Sequence, residues 1–250
     1  IANIDRFLGM MNNRDQTGDA WRARATAGIG YDSNPGTATS AREVTMWGLP
    51  FTLSRDARRS GDGFAFFKGE IDHIRRFSRE FAWTSNLTIN ARKYFRLEDY
   101  DSFAFSGSTG PVWQPGDRVT ALLPAFINVN RFETRSKTQN DRWQSWDYGV
   151  APQVRYAAQD WLSLNLAMTV GRRLYYSESA KDATFASVSP GVDITTPAAG
   201  TFTFGASAGR ELARASVFAN HSAGVNVGWQ YAFAQGLVVS AYGSYTDVKY

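Results

Sequence analysis

Apolar and polar residues alternate one for one through long stretches of this chain, and that period of two constrains its fold more than any other feature. Alternation places one set of side chains on each face of an extended strand. From Ala20 to Tyr31 one face reads Trp21, Ala23, Ala25, Ala27, Ile29 and Tyr31, and the other Arg22, Arg24, Thr26, Gly28 and Gly30. The pattern recurs over 80–95, 118–131, 147–156, 161–172, 222–233 and 237–245, with weaker runs at 62–75, 101–113, 184–194 and 201–211. In the clearest of these, Leu162, Leu164, Leu166, Met168 and Val170 oppose Ser163, Asn165, Ala167, Thr169 and Gly171. The strong runs last roughly 10–15 residues. Strands of water-soluble domains average about 5–6, whereas a tilted strand that crosses a bilayer takes about 9–11.

The connections between runs alternate in length. Arg76–Arg79, Trp113–Asp117, Ala157–Asp160, Thr195–Gly200 and Ala234–Gly236 are tight. Asp32–Gly61, Leu97–Tyr100, Phe132–Arg142, Ser177–Asp182 and Leu212–His221 are longer or more polar. Tight turns at one end and loose ones at the other are the pattern of an outer-membrane barrel. Aromatic residues gather near the run ends: Trp21, Tyr31, Trp83, Trp113, Tyr156, Trp161, Trp229 and Tyr245, with Tyr94 and Tyr175 nearby. Such residues form the girdles at the two bilayer interfaces.

The expected fold is therefore all-β, a transmembrane antiparallel up-and-down β-barrel of about 12–14 strands preceded by a short N-terminal helix. A water-soluble barrel or sandwich also alternates, but with its apolar face inward. Run length, turn alternation and aromatic placement favour the membrane form. The runs number roughly eleven, and an odd count cannot close an up-and-down barrel in hydrocarbon, where an unpaired edge leaves backbone groups unsatisfied. Either Glu43–Leu53 adds a strand or further strands follow Tyr250, and the second is expected.

Composition excludes other classes. With 250 residues, 43% hydrophobic and 14% aromatic, the chain is not disordered. Mean hydropathy is −0.35, and no run approaches the length of a spanning helix. The absence of Cys excludes a disulfide scaffold, a thiolate metal site and a thiol enzyme. Twenty-seven basic residues against 23 acidic ones give a dispersed net charge of +4, which argues against nucleic acid as a partner. No cofactor, metal or catalytic residue is expected. Asp72 and His73 are adjacent on a strand and point to opposite faces, and no serine has elbow or triad spacing.

The chain opens IANIDRFLGMMNNRD, with no secretory signal and no initiator Met, so it is expected to be part of something longer. Ile1, Ile4, Phe7, Leu8 and Met11 lie at helical spacing. Residues 1–19 then read as the end of an upstream periplasmic helical region, 20–250 as the barrel, and 32–61 as a long loop or plug. Inward positions on the polar face would be Arg22, Arg24, Lys68, Glu70, Asp72, Asn86, Asn90, Arg92, Asn128, Asn130, Asp147, Gln153, Arg155, Asn165, Asn226 and Gln230. A wall of both charge signs and many amides hydrogen-bonds water and passing peptide without gripping one charge type. It equally holds strands together by cross-strand pairing. Leu122, Pro124 and Phe126 fall on the same nominal face, so they either pack inside or mark a register slip at Pro124.

The stretch from Tyr31 to Gly61 is the most specific. It carries Asp32-Ser33-Asn34, Thr39-Ser40-Ala41-Arg42, Gly48-Leu49-Pro50-Phe51, Leu53-Ser54, Asp56-Ala57-Arg58 and Ser60-Gly61. This cluster resembles the start of the barrel in the surface lipoprotein assembly modifier (Slam) family. The resemblance implies a periplasmic tetratricopeptide-repeat domain upstream and an outer-membrane barrel of about 14 strands. It further implies translocation of a client, a surface lipoprotein or a small secreted protein, across the bacterial outer membrane. The repeat domain is absent here apart from the expected helix over Ile1–Met11, and the Asn-Ser-Asn type segment of the family's final strands is not found. About thirty residues is long for a turn, and the apolar middle (Val44, Met46, Trp47, Leu49, Phe51) suits a plug, a gate or an extra strand, although Pro50 argues against a central one. A passive porin, or a structural barrel anchoring a larger outer-membrane complex, are the alternative functions. Outer-membrane lipid is a partner in every case.

Overall fold

The computed structural model describes residues 18–35, 43–46, 49–52, 60–132, 145–176, 178–233 and 237–250. Its strands are β1 (Gly18–Asp32), β2 (Glu43–Met46), β3 (Leu49–Thr52), β4 (Asp62–Arg76), β5 (Phe81–Tyr94), β6 (Ser102–Trp113), β7 (Val119–Leu122), β8 (Ala125–Phe132), β9 (Ser145–Val150), β10 (Gln153–Gln159), β11 (Leu162–Tyr175), β12 (Ala183–Thr196), β13 (Gly200–Ala213), β14 (Asn220–Ala232) and β15 (Val238–Lys249). Thirteen of them form one antiparallel sheet, and β2 and β3 form a separate hairpin with Thr45 opposite Pro50. The expected helix over 1–11 lies outside the described residues.

The sheet is an up-and-down meander. β7 with β8, and β9 with β10, each make one pass broken at a proline, Pro124 or Pro152. Eleven passes therefore follow one another, as the sequence count expects. A proline has no N–H for the ladder, and the two breaks lie side by side, where the Ala151 amide donates to the Pro124 carbonyl (2.9 Å). The side-chain parity runs unbroken through Pro124, so no register slip occurs there.

Connection lengths sort by end. The tight turns are 77–80, 114–118, 160–161, 197–199 and 233–237, and the long ones 33–61, 95–101, 133–144, 176–182 and 214–219. Ser78 shapes the first tight turn, its Oγ accepting from the Phe81 amide (3.0 Å). At 197–199 the chain reverses into Gly200, whose φ of +82° is open to glycine. The long-loop end carries single 3-10 turns at Glu98–Tyr100, Ser179–Lys181 and Ser216–Phe218.

The two faces of the sheet differ in a way that decides between the alternatives left by the sequence. On β11, Leu164, Leu166, Met168 and Val170 are 42–44% exposed, while the intervening Asn165 is 5% exposed. Ile127, Val227, Phe204 and Val225 are exposed on the same face, and Leu87 is half-buried on it. Among the described residues, twelve polar or charged side chains are buried against six apolar ones. A water-soluble barrel or sandwich would bury the apolar set. The apolar face here is the convex, exposed one, and the polar face is the enclosed one. Contacts that skip whole strands confirm the curvature: Arg173 on β11 reaches Glu211 on β13, and Phe126 on β8 lies 6.4 Å from Phe185 on β12.

Among the described residues β1 pairs only with β4, and β15 only with β14. Both run from the tight-turn end to the long-loop end. Joining them antiparallel takes an odd number of further passes. Among the described residues β2 and β3 pair only with each other and add no pass to the sheet.

Candidate functional site: the polar inner wall

Register assigns each polar side chain its neighbours on the inner face. Beginning at the β1 edge, Arg22 stands opposite Asp72, Arg24 opposite Glu70, and Thr26 opposite Lys68. The next strand continues the rows with Asn86 opposite Asp72, Thr88 opposite Glu70, Asn90 opposite Lys68 and Arg92 opposite Phe66. Glu70 takes an ion pair from Lys68 at 2.9 Å and a looser one from Arg24 at 3.7 Å. Asn86 donates to Asp72 at 2.6 Å. Further round, Asn128 faces Asp147 and Asn130 faces Ser145. Gln153 pairs with Ala167, and Arg155 with Asn165. Asn226 pairs with Gly205, and Gln230 with Thr201. All these side chains share the enclosed parity.

Two further polar clusters belong to this wall. Arg173 donates from Nε and Nη2 to Asp147 (3.0 and 3.2 Å) and from Nη1 to both oxygens of Glu211 (3.1 and 3.0 Å). One guanidinium thus ties β9, β11 and β13. Asp193 accepts from Asn165 at 2.6 Å and from Thr203 at 2.8 Å, joining β11, β12 and β13. Arg173, Glu211 and Asp193 are absent from the sequence-derived set. Arg172 and Arg173 are adjacent, so the residue type alone does not say which faces inward, and 184–194 and 201–211 alternate weakly. Extending the parity of Asn165, Thr169 and Gly171 by one step would have found Arg173.

An apolar cluster sits on the inner face near the tight-turn ends of β4 to β7, beside the buried Arg76 and Gln114. Ile74, Ala82, Val112 and Leu122 form a buried cluster with Ala20 packed on it. Leu122 therefore packs inside. Phe126 does the same higher up, where a Cβ at Gly171 would stand 3.1 Å from the Phe126 ring and 2.7 Å from the Phe185 ring. The glycine is the floor on which both rings lie.

At the long-loop rim carboxylates organise the loop bases. Asp62 is the first residue of β4, beyond the apolar outer belt of that strand (Ala65, Phe67 and Ile71). Its oxygens accept from the backbone N–H groups of Arg96 (2.7 Å), Leu97 (2.9 Å) and Gly63 (2.9 Å), and from Arg96 Nε (3.2 Å). Burial opposes the charge, but these hydrogen bonds, Leu97 and Arg96 foremost, outweigh it and hold the carboxyl below the usual carboxylate range. Asp101 accepts from the Tyr94 amide at 2.7 Å, and Asp182 from the Tyr175 amide at 2.8 Å. The same Tyr–six–Asp device closes both loops.

Tyr94 is buried on the inner face and donates from its hydroxyl to Asp32 (3.1 Å), and Tyr175 shares that parity opposite Ser145, so neither joins the outer aromatic set. Trp21, Tyr31, Trp113, Tyr156 and Tyr245 are exposed on the outer face, with Trp83 at 39%; Trp161 is exposed too, but it lies in the tight turn before β11 and not on the outer face of a strand. Trp229 is half-buried, its indole donating to the Ala199 carbonyl (2.7 Å). In the 32–61 segment, Asp32 accepts from the Asn34 amide (2.9 Å) and Ser33 follows β1. Leu49, Pro50 and Phe51 lie in β3. Ser40, Ala41, Arg42 and Gly48 lie outside the described residues. His73 does not meet Asp72. It crosses to Asp19 on the outer face (2.8 Å).

No protein-family model matches the chain, and no curated protein matches it. Among solved structures, the chain is similar to the translocator domain of autotransporter NalP from Neisseria meningitidis, with 12% identity over 98% of this chain and 90% of that one and a TM-score of 0.42.

Proposed function

We propose that the chain is an outer-membrane β-barrel whose polar interior serves the passage of a client polypeptide, with no enzymatic step of its own. One observation carries the membrane half of this reading: the exposed face is apolar over lengths that match a bilayer, and the enclosed face is polar. Hydrocarbon accepts only such a surface, with every backbone group bonded within the protein. Tight turns at one end and long loops at the other support the orientation, tight turns toward the periplasm.

The transport half is supported by the wall chemistry and by the resemblance of 31–61 to the Slam family. Mixed charges and amides offer donors and acceptors to an extended peptide without selecting one charge. In that family the client is a surface lipoprotein or a small secreted protein, and a helical-repeat domain precedes the barrel in the periplasm. The test uses the full-length protein in its own cells. Surface proteins are labelled with a membrane-impermeant biotin reagent in wild-type, deleted and complemented strains. Loss of one or a few surface proteins on deletion, restored by complementation, is the expected result. An unchanged labelled set with impaired uptake of small sugars rejects translocation in favour of a passive porin. Removing 43–59 and recording single-channel conductance tests gating by the long segment, with raised conductance expected.

A further inference from the structure

The outer face is not uniformly apolar. Across β1, β4, β5 and β6 one outward row near the tight-turn end reads Trp21, His73, Ser85, Thr109. The row below it begins Asp19, Arg75, Trp83. On the opposite side of the sheet the same depth carries Leu164, Val192, Phe204 and Val227. Polar groups facing hydrocarbon are costly unless they are bonded, and they mark function where they persist.

Here they are bonded and placed at a particular depth. The Trp83 indole donates to Thr109 Oγ1 at 2.7 Å, Ser85 and Thr109 hydroxyls are 2.8 Å apart, and Thr109 Oγ1 donates to the Thr84 carbonyl. His73 bonds Asp19 (2.8 Å) and stacks on Trp21, with ring centroids 4.1 Å apart. His73 is three residues from the end of β4. At about 2.5 Å of rise per residue on a strand tilted by roughly 40°, the row lies within about 10 Å of the tight-turn end, at headgroup level.

Above this row a groove of about 660 Å³ opens on the outer face between Ile71, Leu87 and Ile127. Gly107 forms its floor, and Trp21 bounds it toward the β1 edge. A Cβ on Gly107 would stand 3.6 Å from Ile127, an ordinary contact, so the trough is open because the residue is small and not because a side chain is barred.

We propose that this groove binds one phospholipid of the inner leaflet, its acyl chain in the trough and a zwitterionic amine headgroup at the polar end. The inference rests on the outer-membrane reading above. Charge complementarity selects the headgroup. Asp19 and Arg75 are cross-strand partners on the outer face, one anion beside one cation. Asp19 is held by His73, and Arg75 stands over the Phe77 ring (5.6 Å). A phosphate beside Arg75 and an ammonium beside Asp19 satisfy both. An anionic headgroup meets Asp19 unfavourably, and a quaternary amine offers it no N–H.

The test incorporates the full-length protein into vesicles of equal parts phosphatidylethanolamine, phosphatidylglycerol and phosphatidylcholine, extracts it in mild detergent and reads retained lipid by native mass spectrometry. Wild-type protein should retain one phosphatidylethanolamine. Gly107→Leu, which fills the trough from outside the sheet, should reduce that retention by about tenfold or more. Arg75→Gln with Asp19→Asn should abolish the preference among headgroups. All variants should still show the heat-dependent gel shift of a folded barrel. Equal retention of the three lipids, or retention unmoved by Gly107→Leu, overturns the inference; the second outcome fits a protein partner on this face. Failure of wild-type protein to enter vesicles overturns the membrane reading along with it.

Discussion

Asp62 shows how much one side chain can organise at the rim. Its carboxylate gathers three backbone amides and a guanidinium, and two of those amides open the 95–101 loop. Asp62→Ala should raise amide hydrogen exchange at Arg96 and Leu97 by about tenfold or more while leaving β4 and β5 protected. The pH dependence follows from a carboxyl held below its usual range. Such a group contributes fully above the unfolded value of about 3.9 and loses its contribution as pH falls through the lower folded value. Exchange at the same two amides in the wild type should therefore rise only below about pH 4. Arg173 makes a second residue-scale prediction. Removing it leaves Asp147 and Glu211 without the guanidinium that joins them, so Arg173→Ala should destabilise the barrel by about 2 kcal/mol in urea unfolding. Arg173→Lys should recover little of this, because an ammonium cannot fork to two carboxylates at once. Neither role was readable from residue type. Asp62 opens a weakly alternating run, and most of its partners are backbone groups, two of them brought by another loop.

At the scale of elements, the sequence carried most of the answer. Period two located the passes, and the tight turns announced themselves through Pro115-Gly116 and Pro197 to Gly200. What periodicity could not show was the interruption of two passes. Pro124 and Pro152 keep the alternation intact on either side, so the pattern reads as continuous while the ladder does not. The close approach that accompanies the break is equally silent: a Cβ at Gly110 would stand 2.6 Å from Pro124 Cα and closer still to the Leu123 carbonyl oxygen. These are backbone atoms, so no flexible side chain is there to yield. Gly110→Ala should cost about 1–3 kcal/mol, measured as a lowered midpoint of the heat-dependent gel shift. Ala121→Gly, on the outer face of the neighbouring β7, should cost less. The short hairpin of β2 and β3 was hidden for a different reason. Four-residue strands with Pro50 inside carry too little alternation to separate from a loop.

For the whole molecule the question is which solvent meets the convex face, and one substitution separates the answers. Leu166 is 43% exposed five residues into β11, inside the apolar outer belt and flanked by Leu164 and Met168 on the same face. In water an arginine at such a site is nearly neutral, since exposed substitutions away from special features stay within about 0.5 kcal/mol. In a bilayer the same arginine stands in hydrocarbon and costs about 2–4 kcal/mol near the midplane, falling toward the interfaces. Leu166→Arg should therefore lower the unfolding free energy of vesicle-inserted protein by that larger amount, while Ala198→Arg, in a tight turn, should change it little. The aromatic residues sharpen the comparison, because Trp161 and Tyr156 ring the tight-turn end of the same region and fix how deep Leu166 lies. A cost that is large at Leu166 and small at Ala198 follows from a belt of lipid around the sheet. Equal small costs at both would put water on the convex face, leaving the exposed Leu164, Leu166, Met168 and Val170 without the environment that makes their exposure stable.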